Sequence, residues 1–372
     1  MEKELDNLLS KPASYYKNLI LKNNPKFDFK KPVVLFGAGN FGKEFLLFFK
    51  NKGTKVVAFS DNDNNKIGKD YCGIKIIAKK EISIIYGKNI QIVTSCAMYH
   101  EVTRDLIKMG FINLWSPMYF STIYPKDFNV LVWKNNINLL LNNRNKINLV
   151  YKLFIDNKSK KTFINILKYR LLLDFKLLKQ SVDKTDQYFN TKIIKLTKKE
   201  IFLDGGAFDG DTIRVFIKKT NNHFSKVFAF EPDRVNFKKL SNYINQHSDD
   251  RIKLLNLGIG DKKSTLSFSN DGNIQSRIVM NNDTNTINIV PIDKFKEPFT
   301  YIKLDIEGYE KQALIGARKT IKEYRPKLAV CAYHYINDLW EVPLMIKKLN
   351  KYYKLYLRHH GQFLYDTICY VT

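Results

Sequence analysis

Apolar runs four or five residues long, each closed by glycine or a polar side chain, recur along the chain and set its organisation. Val33-Val34-Leu35-Phe36 and Val56–Phe59 have the length and uniform apolarity of strands buried on both faces, and Ile90–Val93, interrupted only by Gln91, gives another strand. The segments from Asn40 to about Lys52 and from Tyr99 to Met109 read as the helices between and after them. Ahead of this series, residues 3–22 are polar with Leu5, Leu8, Leu9, Tyr15, Tyr16, Leu19 and Ile20 at helical intervals, which predicts a short amphipathic helix. A second series follows at Ile201–Leu203, Lys226–Phe230, Tyr301–Leu304 and Leu328–Ala332, and the chain closes on a hairpin. The stretch between the two series, 119–195, contains no glycine and is strongly basic. It places Phe163, Ile166, Leu167, Tyr169, Leu171 and Leu173 at helical spacing, which predicts two or three helices. Strands alternating with helices imply parallel sheets, so the expected fold class is α/β. The expected domains are 1–118, an N-terminal helix plus a small Rossmann-like domain; 119–195, a helical connector; and 196–372, a second, larger α/β domain.

Composition narrows the class. A length of 372 residues, 44% of them hydrophobic, is enough for two domains with real cores. No run approaches the eighteen or so apolar residues of a membrane span, and the opening MEKELDNLLSK has acids where a secretory signal is basic and then apolar, so a cytoplasmic location is expected. Cys72, Cys96, Cys331 and Cys369 form no C-x-x-C pair and are expected to be reduced and mostly buried. The formal net charge of +26 is compatible with nucleic acid, an anionic surface or acidic substrates. Lysine and asparagine are abundant along the whole chain, however, and this points to general usage rather than to one basic face.

Two glycine turns give this pattern chemical content. Gly37-Ala38-Gly39-Asn40-Phe41-Gly42 follows the first strand and opens a helix, and Asp61 stands nineteen residues beyond Gly42 at the end of the next strand. The second turn, Asp204-Gly205-Gly206-Ala207-Phe208-Asp209-Gly210-Asp211-Thr212, has a carboxylate closing its strand and glycines that let a ligand approach the main chain. Glu231 ends the following strand twenty-one residues beyond Gly210, where an acid can accept hydrogen bonds from two ribose hydroxyls.

The second turn resembles that of the AdoMet-dependent class I methyltransferases and, more closely, the FkbM family of O-methyltransferases, whose D-x-G-A-x-x-G-D-T pattern is matched by Asp204, Gly206, Ala207, Gly210, Asp211 and Thr212. The broader D-x-G-x-G-x-G pattern fits less well, because Phe208 takes the middle glycine position. Further motifs follow in order: FEPD at 230–233, NLGIGD at 256–261, IKLDIEGYE at 302–310, Tyr333-His334 after a strand, and LRHH at 357–360. The resemblance covers roughly the C-terminal half. It implies a seven-stranded class I methyltransferase sheet and S-adenosyl-L-methionine as cofactor. By it, Asp204, Gly206, Ala207 and Gly210 line the methionine and ribose, Asp211 and Thr212 open the adjoining helix, Glu231 takes the ribose diol, and Asn256, Gly258 and Asp261 lie on the adenine side. The first turn is similar to small Rossmann-type domains at the front of sugar-modifying enzymes, including PglD-like acetyltransferases; by that likeness Gly37, Gly39, Gly42 and Asp61 hold a nucleotide or nucleotide sugar.

Methyl transfer to a hydroxyl needs oxygen, carbon and sulfur nearly in line and a group to take the proton. His334, at a strand end, is the expected general base, with Asp305 near the methionyl end of the cofactor or orienting the acceptor. Glu307 lies in the adjoining turn on the acceptor side. Asp305, Glu307 and His334 form a set that a divalent cation can use, but nothing in their spacing requires one and no metal is assigned. Arg277, in a polar loop, and Arg358 and His359, in the final hairpin, are candidates for acceptor contacts, the arginines with a diphosphate. The reading is an AdoMet-dependent O-methyltransferase acting on a sugar hydroxyl of a nucleotide sugar or surface glycan. Homo-oligomerisation is left open, and stable membrane insertion is not expected. Two alternatives remain at this level: an RNA-directed methyltransferase or nucleic-acid-binding protein, for which no aromatic-basic RNA motif is present, and an NAD-dependent oxidoreductase using the first glycine turn.

Overall fold

A computed structural model describes residues 1–128, 134–247, 249–267, 286–361 and 363–372. They form two compact units. One comprises Glu2–Arg144 and Ile166–Lys179; the other comprises Asn145–Asn165 and Gln180–Thr372, with Met1.

The first unit is built on a six-stranded sheet of β1 (Val33–Phe36), β2 (Val56–Asp61), β3 (Asp70–Tyr71), β4 (Ile74–Ala78), β5 (Gln91–Thr94) and β6 (Leu114–Trp115), in the order β3-β4-β2-β1-β5-β6. Central β1 is buried at every residue, as its unbroken apolar run requires, and pairs in parallel with β2 and β5. The order reverses on either side of β1, so the glycine turn that follows it opens at a topological switch point. The polar segment at the N-terminus is two helices, Glu2–Ser10 and Ala13–Asn23, rather than one. Pro12 causes the break: it stands just before the second helix with φ −70°, and it disfavours helical backbone at the residue ahead of it.

The second unit holds the larger sheet. Its strands are β7 (Ile201–Gly205), β8 (Lys226–Phe230), β9 (Ile252–Leu255), β13 (Tyr301–Leu304), β14 (Lys327–Cys331), β15 (Leu355–His359) and β16 (Thr367–Val371), in the order β15-β16-β14-β13-β7-β8-β9. Only β16 runs against its neighbours. The smaller strands β10 (Gly258–Ile259), β11 (Ser264–Ser267) and β12 (Thr286–Val290) make a separate three-stranded sheet. This is the expected seven-stranded α/β sheet, with its switch point between β7 and β13. Phe202 anchors the core beneath it, stacked on Phe216 and Tyr301 at ring-centroid distances of 4.6 and 5.1 Å.

From residue 117 to residue 179 the described chain forms five helices: Pro117–Ile123, Ile137–Asn142, Arg144–Leu153, Asn157–Leu172 and Phe175–Lys179. They are more and shorter than the apolar spacing alone suggests, because asparagines and the aspartates Asp156 and Asp174, which accept from the Ser159 and Lys176 N–H groups, divide the run. Asn136 caps one helix start by accepting from the Leu139 N–H, and Asn143 separates that helix from the next.

Candidate active site

At the end of β7 the chain folds back on the neighbouring strand. The N–H groups of Gly206 and Ala207 both donate to Phe230 O, at 3.0 and 2.9 Å, and pin the bend to the end of β8. Gly206 has φ +77°, and a Cβ there would lie 1.9 Å from Asp305 O, so only glycine allows the bend to pass the end of β13. Phe208 has φ +48° although it is not glycine. The position where the broader motif carries glycine therefore keeps the left-handed backbone that favours it. Gly210, with φ +92°, caps the helix Asp211–Lys219. Asp211 Oδ1 accepts from the Thr212 N–H at 2.6 Å, so these two residues organise the helix start.

Asp204 is fully buried, with Lys303 Nζ 2.9 Å from its Oδ1. Lys303 comes from the neighbouring β13 and also donates to Gly206 O at 2.6 Å. Burial pushes the Asp204 carboxyl up to about 6, opposed by the adjacent ammonium. Burial would lower Lys303, but the carboxylates of Asp204 and Asp305 outweigh it and hold the ammonium above its ordinary value. Asp204 Oδ2 is buried with no hydrogen-bond partner. Glu231 accepts the Phe208 N–H on Oε2 at 2.8 Å and the Asp233 N–H on Oε1 at 2.9 Å. Burial nonetheless pushes its carboxyl up to about 7. Beside it, Asn256 donates to Glu231 O and Pro232 O at 2.8 and 3.1 Å and thereby fixes the turn after β8. A Cβ at Gly258 would meet Ile289 Cδ1 at 2.4 Å, so this glycine lets β10 and β12 pack, while Asp261 is exposed.

Beyond β13, Glu307 and Gly308 are consecutive left-handed residues, at φ +54° and +98°. They fold the chain into a tight turn, whose Ile306 N–H donates to Glu310 Oε1 at 2.9 Å. His334, just past β14, is 2% exposed and lies among three acids. Its Nδ1 is 3.1 Å from Glu310 Oε1, and its Nε2 is 3.5 Å from both Asp305 Oδ1 and Glu307 Oε2. Burial would lower the imidazole, but Glu310 and Glu307 outweigh it and raise its pKa to about 10, so in this arrangement the ring is cationic at neutral pH. Asp305 is held in turn by Tyr188, whose hydroxyl donates to Oδ2 at 2.7 Å, and by Tyr333, which donates to Oδ1 at 3.2 Å. Burial raises this carboxyl, but Lys303 and His334 together bring it below its ordinary value.

The structure thus gathers Asp204, Gly206, Ala207, Asp305, Glu307 and His334 at the carboxyl ends of β7, β13 and β14, where ligands sit in sheets of this kind. Lys303 and Tyr188 stand among them unanticipated. A lysine inside an otherwise apolar strand was the visible signal for Lys303; nothing in sequence links Tyr188 to Asp305. Arg358 is 5% exposed and engaged inside the fold, with Nη2 2.5 Å from Asp156 Oδ2, Nε 3.1 Å from Asp183 Oδ2 and Nη1 donating to Ser159 Oγ at 2.8 Å. Its guanidinium, the proposed diphosphate partner, is already fully paired with protein groups. His359 is fully buried against Thr367 Oγ1 at 2.9 Å, and burial lowers its pKa to about 3. Arg277 lies outside the described residues.

In the first unit, Asp61 Oδ2 accepts from the Ala38 N–H at 2.9 Å and faces Lys66 Nζ at 3.2 Å. Gly37 and Gly42 answer to packing: added Cβ atoms would lie 2.6 Å from Ser95 O and 2.1 Å from Gly37 O. Gly39 differs, since its Cβ would meet nothing within 4 Å.

Residues 204–362 match the methyltransferase FkbM domain, and residues 29–113 match the C2185-like N-terminal domain. Among solved structures, the methyltransferase FkbM from Methylobacillus flagellatus KT aligns over 100% of this chain and 97% of its own, with a TM-score of 0.77 and 22% identity, a likeness of fold. UDP-D-quinovosamine 4-dehydrogenase from Vibrio fischeri aligns over 23% of this chain and 77% of its own, with 21% identity and a TM-score of 0.20. A SAM-dependent methyltransferase from Aquifex aeolicus aligns over 53% and 97%, with 12% identity and a TM-score of 0.29. No curated protein gives a match. No helix among the described residues is long and apolar enough to cross a membrane.

Proposed function

We propose that this chain, whose residues 204–362 match the methyltransferase FkbM domain and 29–113 the C2185-like N-terminal domain, is an AdoMet-dependent methyltransferase that methylates a sugar hydroxyl, on a nucleotide-activated sugar or a glycan destined for surface polysaccharide. The observation that carries this reading is the juxtaposition of the glycine bend after β7 with the cluster of Asp305, Glu307 and His334 at the ends of β13 and β14.

The residues present fit AdoMet. Asp204 Oδ2 is a buried acceptor lacking a partner, suited to a cationic or hydroxyl-bearing ligand, and the bend at Gly206 brings bare main chain beside it. Asp204, Gly206, Ala207 and Gly210 would line the methionine and ribose, with Glu231 facing the ribose diol through lone pairs left over from its two main-chain contacts. Asp211 and Thr212 shape the helix start, and Asn256, Gly258 and Asp261 shape the adenine side. When bound, AdoMet supplies a methyl group on a sulfonium, an electrophile whose sulfur leaves as a neutral thioether.

The protein's part is to position the hydroxyl and receive its proton. Asp305, held anionic by Lys303 and His334 and kept in place by the Tyr188 and Tyr333 hydroxyls, is assigned to receive the proton, while the cationic His334, which in this arrangement cannot serve as the expected general base, positions that carboxylate. Glu307 borders the acceptor side. The test is incubation with labelled AdoMet and a panel of nucleotide sugars, scored by mass for one added methyl group. His334→Ala is expected to change AdoMet affinity less than about threefold while lowering turnover roughly a hundredfold or more. Unchanged turnover would remove His334 from the chemistry.

A further inference from the structure

Glu310, His334 and Asp305 make a cluster whose burial and geometry are not explained by the contacts within it. Glu310 is 1% exposed and His334 2% exposed. Glu310 Oε1 is held by the Ile306 N–H, but Oε2 is buried without a hydrogen-bond partner. Both ring nitrogens of His334 lie within ion-pair distance of carboxylates, yet neither is aligned for a hydrogen bond. Leaving such groups unsatisfied costs on the order of 1–3 kcal/mol each, more where they are charged.

One ligand atom from each of Asp305, Glu310 and His334 can be chosen so that all three lie within 4.8 Å of one another. One imidazole gives a single ion only one of its nitrogens, and Nδ1, 3.1 Å from Glu310 Oε1, has the spacing of a neighbouring ligand to it. Two donors each about 2.1 Å from a metal stand roughly 3.0–3.4 Å apart at octahedral or tetrahedral angles. The geometry points to a divalent-cation site made by Asp305, Glu310 and His334, at the acceptor side of the methyl-transfer site. Two carboxylates with one imidazole are a mixed oxygen–nitrogen set, which suits Mn²⁺ better than Ca²⁺ or Mg²⁺ and better than a soft thiolate-seeking ion. Outer contacts of the kind that orient metal ligands are in place: the Tyr333 hydroxyl on Asp305 Oδ1 and the Ile306 N–H on Glu310 Oε1.

Three protein ligands leave positions for water and an acceptor hydroxyl, and a coordinated hydroxyl is both oriented and made more acidic. The inference thus rests on the proposed methyl transfer for its role, though not for its existence.

The test uses the full chain, stripped with a chelator and titrated with MnCl₂, with free Mn²⁺ followed by electron paramagnetic resonance and AdoMet binding measured by calorimetry on the same samples. About one Mn²⁺ per chain is expected, with enhanced water-proton relaxation from the open positions. Glu310→Gln and His334→Ala should each weaken uptake at least tenfold. If the unaltered chain leaves Mn²⁺ free at millimolar concentration, the cluster is held by the charge of the imidazole alone and the site is overturned, whether or not AdoMet binds. Mn²⁺ uptake without AdoMet uptake would uphold the site and sink the methyl-transfer reading instead.

Discussion

Glu231 is caught between two demands: burial makes its charge costly, and its two main-chain partners need an acceptor. With its pKa at about 7 instead of the ordinary 4.5, the carboxyl takes up a proton on folding. Its contribution to stability is therefore greatest below the unfolded value and falls as the pH rises through about 7. Ribose hydroxyls donate best to the anion, so AdoMet affinity should run the other way, weakening as the pH is lowered from about 8 to about 6. Calorimetric titration across that range checks the sign, and Glu231→Gln should lower affinity about tenfold at pH 8 and flatten the profile. A profile equally steep in the variant would move the titration to another group, Asp204 at about 6 being the nearest. Asp204 and Glu231 could be identified in the sequence because each closes an apolar run at a turn, Asp204 before Gly205 and Glu231 before Pro232, a local pattern. The pairing of Lys303 could not, because its partner Asp204 lies on the adjacent strand ninety-nine residues earlier, and only the pairing of β7 with β13 brings them together. The fate of Arg358 was hidden for the same reason: its carboxylates, Asp156 and Asp183, come from the basic helical stretch some two hundred residues upstream.

At the level of elements, the bend after β7 depends on one absent side chain. Gly206 combines a left-handed backbone with a carbonyl, that of Asp305, where its Cβ would be. Because the obstruction is main chain at the end of a buried strand, it cannot swing aside as a flexible side chain would. Gly206→Ala should therefore cost more than about 2 kcal/mol and shift β7 against β13. Thermal unfolding and AdoMet calorimetry should both register the loss; a variant with unchanged stability would mean that the bend is not seated on Asp305. Strand positions were legible because fully buried parallel strands are short apolar runs, and β1, β8 and β13 fall where those runs do. Helix number was not. Asparagine and proline act at single positions, and the apolar periodicity that marks a helix continues across such breaks, as it does at Pro12 and Asn143.

For the whole chain, the question is whether the first unit binds anything. Two of its three motif glycines are accounted for by packing, so their presence alone is weak support for a ligand. Gly39 is the informative position. Its φ of −152° and ψ of −169° are extended backbone open to any residue, and a Cβ there meets open space just ahead of the helix Asn40–Asn51. Gly39→Val should therefore alter stability by only about 1 kcal/mol, mainly through a poorer helix cap, whereas Gly42→Val, pressed against Gly37 O, should disrupt the unit. If the diphosphate of a nucleotide sugar approaches the main chain here, the valine branches stand in its way, and affinity should fall at least tenfold with AdoMet binding unchanged. Calorimetry with a uridine diphosphate sugar separates the outcomes, because a Gly39→Val chain that folds, binds AdoMet and still takes the nucleotide sugar would exclude this turn as its seat. The +26 net charge does not substitute for that measurement. A field spread over the whole chain raises affinity for any polyanion, in a manner steeply weakened by salt, whereas binding through main-chain N–H groups at one helix start should depend on salt only weakly and on residue 39 strongly.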